Sequence, residues 1–273
     1  MAKKEKVLTV IFDEDNYQYY LSLIKQIGCP YKIARSTYTL NIQSECVNIK
    51  FIQNMQTQRA FMAGNMIKSD IKEKQKPIVG ELKYFDFNKD SILKKAKNKQ
   101  VYNIDIKSAY ANALKNNGYI SDRTFAMLAS LSKRDRLASV GMLASKKCWS
   151  EYDGTGNAVK YYEEIAPTAS FFFFCVHAIN VIMDEIKQAI GDDFLFYWVD
   201  GIFFTGDRVQ QIEQILFDKG YPFSFCKIDN LEIVQTNKVR TLIYTKEQEK
   251  KTLSLPNYNK KRLRYLIEYQ KQL

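Results

Sequence analysis

The sequence predicts an α+β fold in which an antiparallel sheet carries helices packed on one face. Three observations predict it. In the second part of the chain the elements run strand, helices, hairpin, helix, hairpin, an order that one sheet with helices on one face satisfies. Asp200-Gly201 stands between two β-prone runs, 194–199 and 202–205, and an Asp-Gly pair so placed is a strong hairpin signal. Of the 273 residues, 46% are hydrophobic and 26% charged, which is the balance of a chain that can bury a core.

The elements can be justified in order. Residues 7–12 form an apolar run closed by Asp13, Glu14 and Asp15, and read as a strand followed by a loop or helix cap. Residues 17–27 carry apolar positions at helical spacing and stop before Gly28. Residues 31–40 and 47–52 are β-rich, and 56–67 is helical. The polar stretch 68–76, followed by Pro77, marks a candidate boundary. Residues 101–106 read as a strand and 108–115 as a helix ending at Gly118. Residues 123–147 have helical periodicity with many basic side chains, and 149–157 reads as a Gly-containing loop. A long apolar helix spans 168–189, an amphipathic one 209–219, and a second hairpin joins 231–234 to 239–244. Residues 259–273 read as a basic helix. The resulting organisation is an N-terminal α+β region over 1–99, a second α+β domain over 100–250, and the basic helix over 251–273.

The net charge of +11 creates a positive field that attracts polyanions, and nucleic acid is the expected partner. The five cysteines are scattered without a CxxC pair, which argues against a zinc site and against a disulfide framework. A reducing, cytoplasmic setting follows as an expectation. No stretch reads as the run of about 18 apolar residues that spans a bilayer, so no membrane partner is expected. His177, the single histidine, lies in an apolar run and reads as a core residue.

Two acids stand out. Asp105 sits where the strand 102–106 runs into a helix, and Asp200 sits at the tip of the hairpin. A charge among apolar β residues costs several kcal/mol unless it is paired or coordinates a metal. Two such carboxylates on adjacent strands can share divalent cations. Two Mg²⁺ ions about 3.5–4 Å apart activate an attacking hydroxyl and stabilise a leaving pyrophosphate. Mg²⁺ suits carboxylate and phosphate oxygens, and Mn²⁺ is a substitute. The plainer alternatives are that Asp200 is a turn residue and that Asp105 caps the following helix.

The stretch Asp105-Ile106-Lys107-Ser108-Ala109-Tyr110 resembles motif A of family B DNA polymerases, Asp-x-x-Ser-Leu-Tyr-Pro, with Ala109 for Leu and Ala111 for Pro. Val199-Asp200-Gly201 followed by an apolar strand resembles motif C, with Trp198 in place of the first acid. Lys133 to Gly141 resembles motif B, with Ala138 for Asn and Val140 for Tyr. Residues 236–244 resemble the strand that holds the primer end. The resemblance covers roughly residues 100–250 and is closest to protein-primed viral and plasmid polymerases. It implies a polymerase-type palm with very short fingers, since about 95 positions separate the two aspartates, and a rudimentary thumb in the last helix.

The resemblance also implies roles. Asp105 and Asp200 are the catalytic metal ligands for two Mg²⁺ ions. Ser108, Tyr110, Lys133 and Arg134 bind the nucleotide, with Tyr110 excluding a 2′-hydroxyl. Lys238, Arg240, Lys260 and Lys261 hold primer and template. The implied activity is template-directed DNA synthesis from deoxynucleoside triphosphates in a phage or mobile element, with a protein primer or replication partner among the implied partners and the host cytoplasm as the location. The alternative is a palm that has lost catalysis and binds nucleic acid. On residues alone, Tyr110 also reads as a core tyrosine, 133–136 as a solvated basic helix, and Lys238 and Arg240 as charges guarding an edge strand.

Overall fold

The computed structural model describes residues 7–36, 39–52, 58–83, 85–86, 89–236, 239–246 and 249–255. In chain order the elements begin β1 (Val7–Ile11), α1 (Glu14–Ile27), β2 (Tyr31–Arg35), β3 (Thr39–Ser44), β4 (Asn48–Ile52), α2 (Gln58–Ile71), β5 (Phe85–Asp86) and α3 (Lys89–Ala96). They continue β6 (Val101–Ile106), α4 (Ala109–Asn116), α5 (Asp122–Ala129), α6 (Lys133–Gly141), β7 (Lys146–Tyr152), β8 (Ala158–Ile165) and α7 (Ala169–Ile190). The last are β9 (Phe194–Trp198), β10 (Gly201–Thr205), α8 (Val209–Asp218), β11 (Phe223–Thr236), β12 (Val239–Lys246) and β13 (Glu249–Leu255). The fold is α+β.

The chain forms two compact units, Met1–Lys76 with Ile120–Phe172, and Pro77–Tyr119 with Phe173–Leu273. One boundary falls at Pro77, where the polar stretch ends. The division otherwise departs from the expected 1–99, 100–250 and 251–273. Residues 77–99 join the second unit because β5 pairs with β9 and α3 packs on β9 and β11. Residues 120–172 join the first because β7 pairs with β2. Strand β13 crosses the expected boundary at 250 by pairing with β12, and the expected basic helix 259–273 lies outside the described residues.

The first unit holds a six-stranded sheet of order β1-β4-β3-β2-β7-β8, with β1 and β4 parallel and the other pairs antiparallel. Alternate residues of β2, β3 and β4 point inward, and Ile33, Leu40, Ile42, Ile49 and Phe51 pack with Tyr17 and Ile24 of α1. Asp13 caps α1 by accepting from the Asp15 N–H at 2.8 Å, which makes the acidic triplet a helix start. Gly28 ends the helix with φ 73°. The stretch 123–147 divides because Ser132 caps a new helix, accepting from the Asp135 N–H. Trp149 to Tyr152, expected as loop, belong to β7. The turn is the shorter segment 153–157, where Asp153 accepts from the N–H groups of Thr155 and Asn157.

The second unit holds a seven-stranded antiparallel sheet of order β13-β12-β11-β6-β10-β9-β5. Helices lie on both faces, not on one. On one face Ile92 of α3 packs with Val101, Phe196, Phe203 and Cys226. On the other, Asn180 of α7 reaches the Tyr197 hydroxyl at 3.5 Å and pairs with both backbone groups of Lys83. The sequence pattern missed α3 because eight residues with four charges show little apolar periodicity.

The segment Ala169–Asp193 is long and apolar enough, by length and composition, to cross a membrane, contrary to the sequence expectation, although 61% of its most apolar window is buried in the protein. Ser170, His177 and Asn180 interrupt the apolar run without lowering its mean hydropathy below that of a span. His177 lies against Gly80 and the Glu81 carbonyl.

Phe204, fully buried in β10, tests how far this sheet depends on its core. Phe204→Ala is expected to cost about 3–5 kcal/mol, read as a lower midpoint in urea denaturation.

Candidate active site

Strand β6 is paired on both sides, by β10 and by β11. Its residues are therefore fixed by two hydrogen-bonded ladders. Asp105 stands opposite Gly201 of β10, and the Ile106 N–H donates to the Asp200 carbonyl at 2.9 Å. Asp105 thus sits on β6 beside the turn that carries Asp200, and both residues are half-buried. A Cβ at position 201 would lie 3.3 Å from Asp105 Oδ1 and 3.4 Å from Asn103 Nδ2. Glycine here makes room for the carboxylate; its φ is not the reason.

The hairpin differs from expectation by one residue. Trp198 pairs with Gly201, so the central residues of the turn are Val199 and Asp200, and Gly201 opens β10. Val199 has φ 56°, the left-handed region that a β-branched residue adopts only under strain. A positive φ at the first of two central residues is the II′ arrangement, ordinarily given to glycine. The plain reading of Asp200 as a turn residue holds for its backbone.

A second strained residue follows the other aspartate. Ser108 has φ 52° and occupies the N-cap of α4 without a capping bond from its side chain. Its carbonyl accepts from both the backbone and the side-chain N–H of Asn112. The cap position therefore belongs to Ser108, and Asp105 lies within β6 and does not cap the helix. Tyr110, half-buried, sits in the first turn of α4.

The remaining expected residues lie on other elements. Lys133 and Arg134 are exposed at the start of α6, in the first unit, whereas both aspartates are in the second. Arg136 turns back toward the carbonyls of Leu128 and Leu131, a structural use at the end of α5. Arg240 lies on β12, its backbone opposite Gln235 and Leu255. Lys238, Lys260 and Lys261 lie outside the described residues.

Sequence reasoning missed three neighbours. Asn103, two positions before Asp105 and on the same face, is buried and donates to the Ile202 carbonyl at 3.1 Å. Lys246 of β12 donates to Asn103 Oδ1 at 3.4 Å. Tyr244, two positions earlier on that strand, packs edge-on against Phe203. Burial raises the Tyr244 hydroxyl above its usual range, with the Asp105 and Cys226 charges adding to the effect. Spacing of two along a strand was the available signal, since Asn103 shares a face with Asp105 and Tyr244 with Lys246. The pairing of the two strands' residues was not visible.

Among the described residues no group of three or more His, Cys, Asp or Glu gathers as a metal site. The carboxylates where β6 meets the β9–β10 turn are those of Asp105 and Asp200. Hard oxygen donors of this kind fit Mg²⁺ or Mn²⁺, which bind through one or two carboxylates together with substrate phosphates and water. Comparison with known protein families, curated proteins and solved structures finds no match for this chain.

The strain at Val199 is measurable. Val199→Gly is expected to raise the melting temperature, because relief of about 1–3 kcal/mol of backbone strain exceeds the added chain entropy of roughly 0.5–1 kcal/mol.

Proposed function

We propose that this chain catalyses metal-dependent nucleotidyl transfer, as a minimal DNA polymerase resembling family B, with the second unit as its palm. The observation that carries the reading is the placement of Asp105 directly opposite Gly201, on the strand next to the turn that bears Asp200. The net charge of +11 supports a polyanionic substrate. The match to motif A at Asp105, Ser108 and Tyr110 supports DNA primer-template and deoxynucleoside triphosphates as the substrates. A phage or mobile element, acting in its host's cytoplasm, is the source we propose.

Asp105 and Asp200 would hold the Mg²⁺ ions. When bound, these ions supply charge neutralisation at the transferring phosphoryl group and lower the pKa of an attacking hydroxyl. The chain's own residues position the reactants. Two flanking ladders hold Asp105 rigid, which is the preorganisation that electrostatic catalysis needs. Tyr110, at the start of α4, is the proposed selector against ribonucleotides. Lys246, through Asn103, is the cation we assign to the rim of the site. Lys133 and Arg134 have no part in this proposal, which rests on the second unit alone. Primer and template contacts are proposed for Lys238, Arg240, Lys260 and Lys261 from the resemblance.

A second reading is favoured by one observation. Trp198 stands beside Gly201 where motif C has its first acid. A palm with fewer charges would bind DNA without catalysis. The two readings separate on labelled deoxynucleotides supplied with Mg²⁺, with and without template. Asp105→Asn and Asp200→Asn are each expected to lower templated incorporation roughly a hundredfold or more while leaving salt-sensitive DNA binding in place. Unchanged incorporation in either variant sinks the enzymatic reading; no incorporation by the unaltered chain, with DNA bound, supports the second.

A further inference from the structure

The five cysteines look unrelated along the chain, yet the fold brings two of them together. Cys29 follows Gly28 at the end of α1, and Cys46 lies in the turn between β3 and β4. Their sulfurs are 2.9 Å apart across a separation of 17 residues. A disulfide needs roughly 2 Å, so an approach of about 1 Å closes the bond.

Both cysteines sit in segments held from several sides. The Ser44 N–H donates to the Val47 carbonyl at 2.9 Å, and the Cys46 and Val47 N–H groups donate to the Ser44 hydroxyl. The Gly28 carbonyl lies against Gly154, where a Cβ would come within 2.1 Å of it. The pair is thus fixed by the first unit's own packing.

We propose that Cys29 and Cys46 form a reversible dithiol–disulfide site that exchanges with low-molecular-weight disulfides. Cys46 is exposed and Cys29 half-buried, so Cys46 is the first to react. Its thiolate attacks one sulfur of the reagent disulfide; that S–S bond breaks and one reagent thiolate leaves. The Cys29 thiolate then attacks the Cys46 sulfur, forming the protein disulfide and expelling the second reagent thiolate. The two protein thiols lose two electrons and two protons; the reagent disulfide takes them up and becomes two thiols. A hydrogen bond with Cys46 raises the Cys29 thiol above its usual range, which fits Cys29 as the second nucleophile.

The other cysteines provide internal controls. Cys175 and Cys226 are buried, and Cys148 hydrogen-bonds to Glu163 at 3.6 Å.

The test uses the full chain, incubated natively with oxidised glutathione, then alkylated, digested and mapped by mass spectrometry. The expected product is a peptide pair linked through Cys29 and Cys46, with a raised melting temperature that dithiothreitol reverses. Cys29→Ser is expected to leave a glutathione adduct standing on Cys46, and Cys148→Ser to leave the crosslink intact. Alkylation of both Cys29 and Cys46 after oxidation would overturn the proposal, as would a glutathione adduct persisting on Cys46 of the unaltered chain.

Discussion

The antiparallel pairing of β6 with β10 governs the second unit, because it fixes which side chains can stand beside which. Asp105 faces the one position in β10 where a side chain would crowd it, and that position is glycine. A shift of the register by one residue would turn Asp105 to the opposite face and set Ile106 against Gly201. Partial burial of the two aspartates carries a desolvation cost. The flanking strands meet it with continuous apolar packing, including Phe196 stacked on Phe203 at 4.2 Å and the buried Ile104 and Ile202 on the other face.

Backbone strain is concentrated where the two aspartates leave the sheet. Of the three non-glycine residues with positive φ among those described, Val199 immediately precedes Asp200 and Ser108 follows Asp105 by three positions. Strain of this kind persists only where the surrounding structure over-determines it, and it clusters at functional sites. The polar contacts around Ser108 illustrate that over-determination. Asn112 holds the carbonyls of Lys107 and Ser108, and the Lys107 N–H is tied to the Pro222 carbonyl at 2.7 Å. Glycine at either position would relax the chain. That neither is glycine indicates that the side chain or the fixed geometry is worth more than the strain.

What was legible in the sequence was local. β6 has its expected bounds, and the β9–β10 hairpin, α7 and α8 lie within one residue of theirs, because each is a run with a clear period punctuated by Gly and Asp. The division of the chain was not legible, because β7 and β8 complete a sheet begun by residues more than one hundred positions earlier, and nothing in their composition names that partner. The same reason hid β7 itself. Its neighbours Asp153, Gly154 and Asn157 are turn residues, and they drew the expected loop too far back into the strand. At the site, Asp105 and Asp200 were found as charges in apolar surroundings. Asn103 and Lys246 were not, because an amide and a lysine on strands are ordinary until a sheet sets them 3.4 Å apart.

The presence of Trp198 bears on how such a site would fill with metal. Trp198 shares the Gly201 pair with Asp105's strand and packs at the margin of the cluster formed by Phe196, Phe203 and Ile92. An apolar ring at that point adds no negative charge, and the Lys246 ammonium, bonded to Asn103 two positions before Asp105 on the same strand face, offsets part of what the aspartates supply. Two carboxylates moderated by one cation attract a divalent ion less strongly than three acids would. Mg²⁺ dehydrates reluctantly and readily keeps several waters and phosphate oxygens in its shell, so a complete protein cage is not required. On the proposed reading the ion's strongest ligands are then the triphosphate oxygens, and the aspartates serve to seat an ion that arrives with the nucleotide. The metal requirement would follow nucleotide concentration, and the palm without nucleotide would hold its cations weakly.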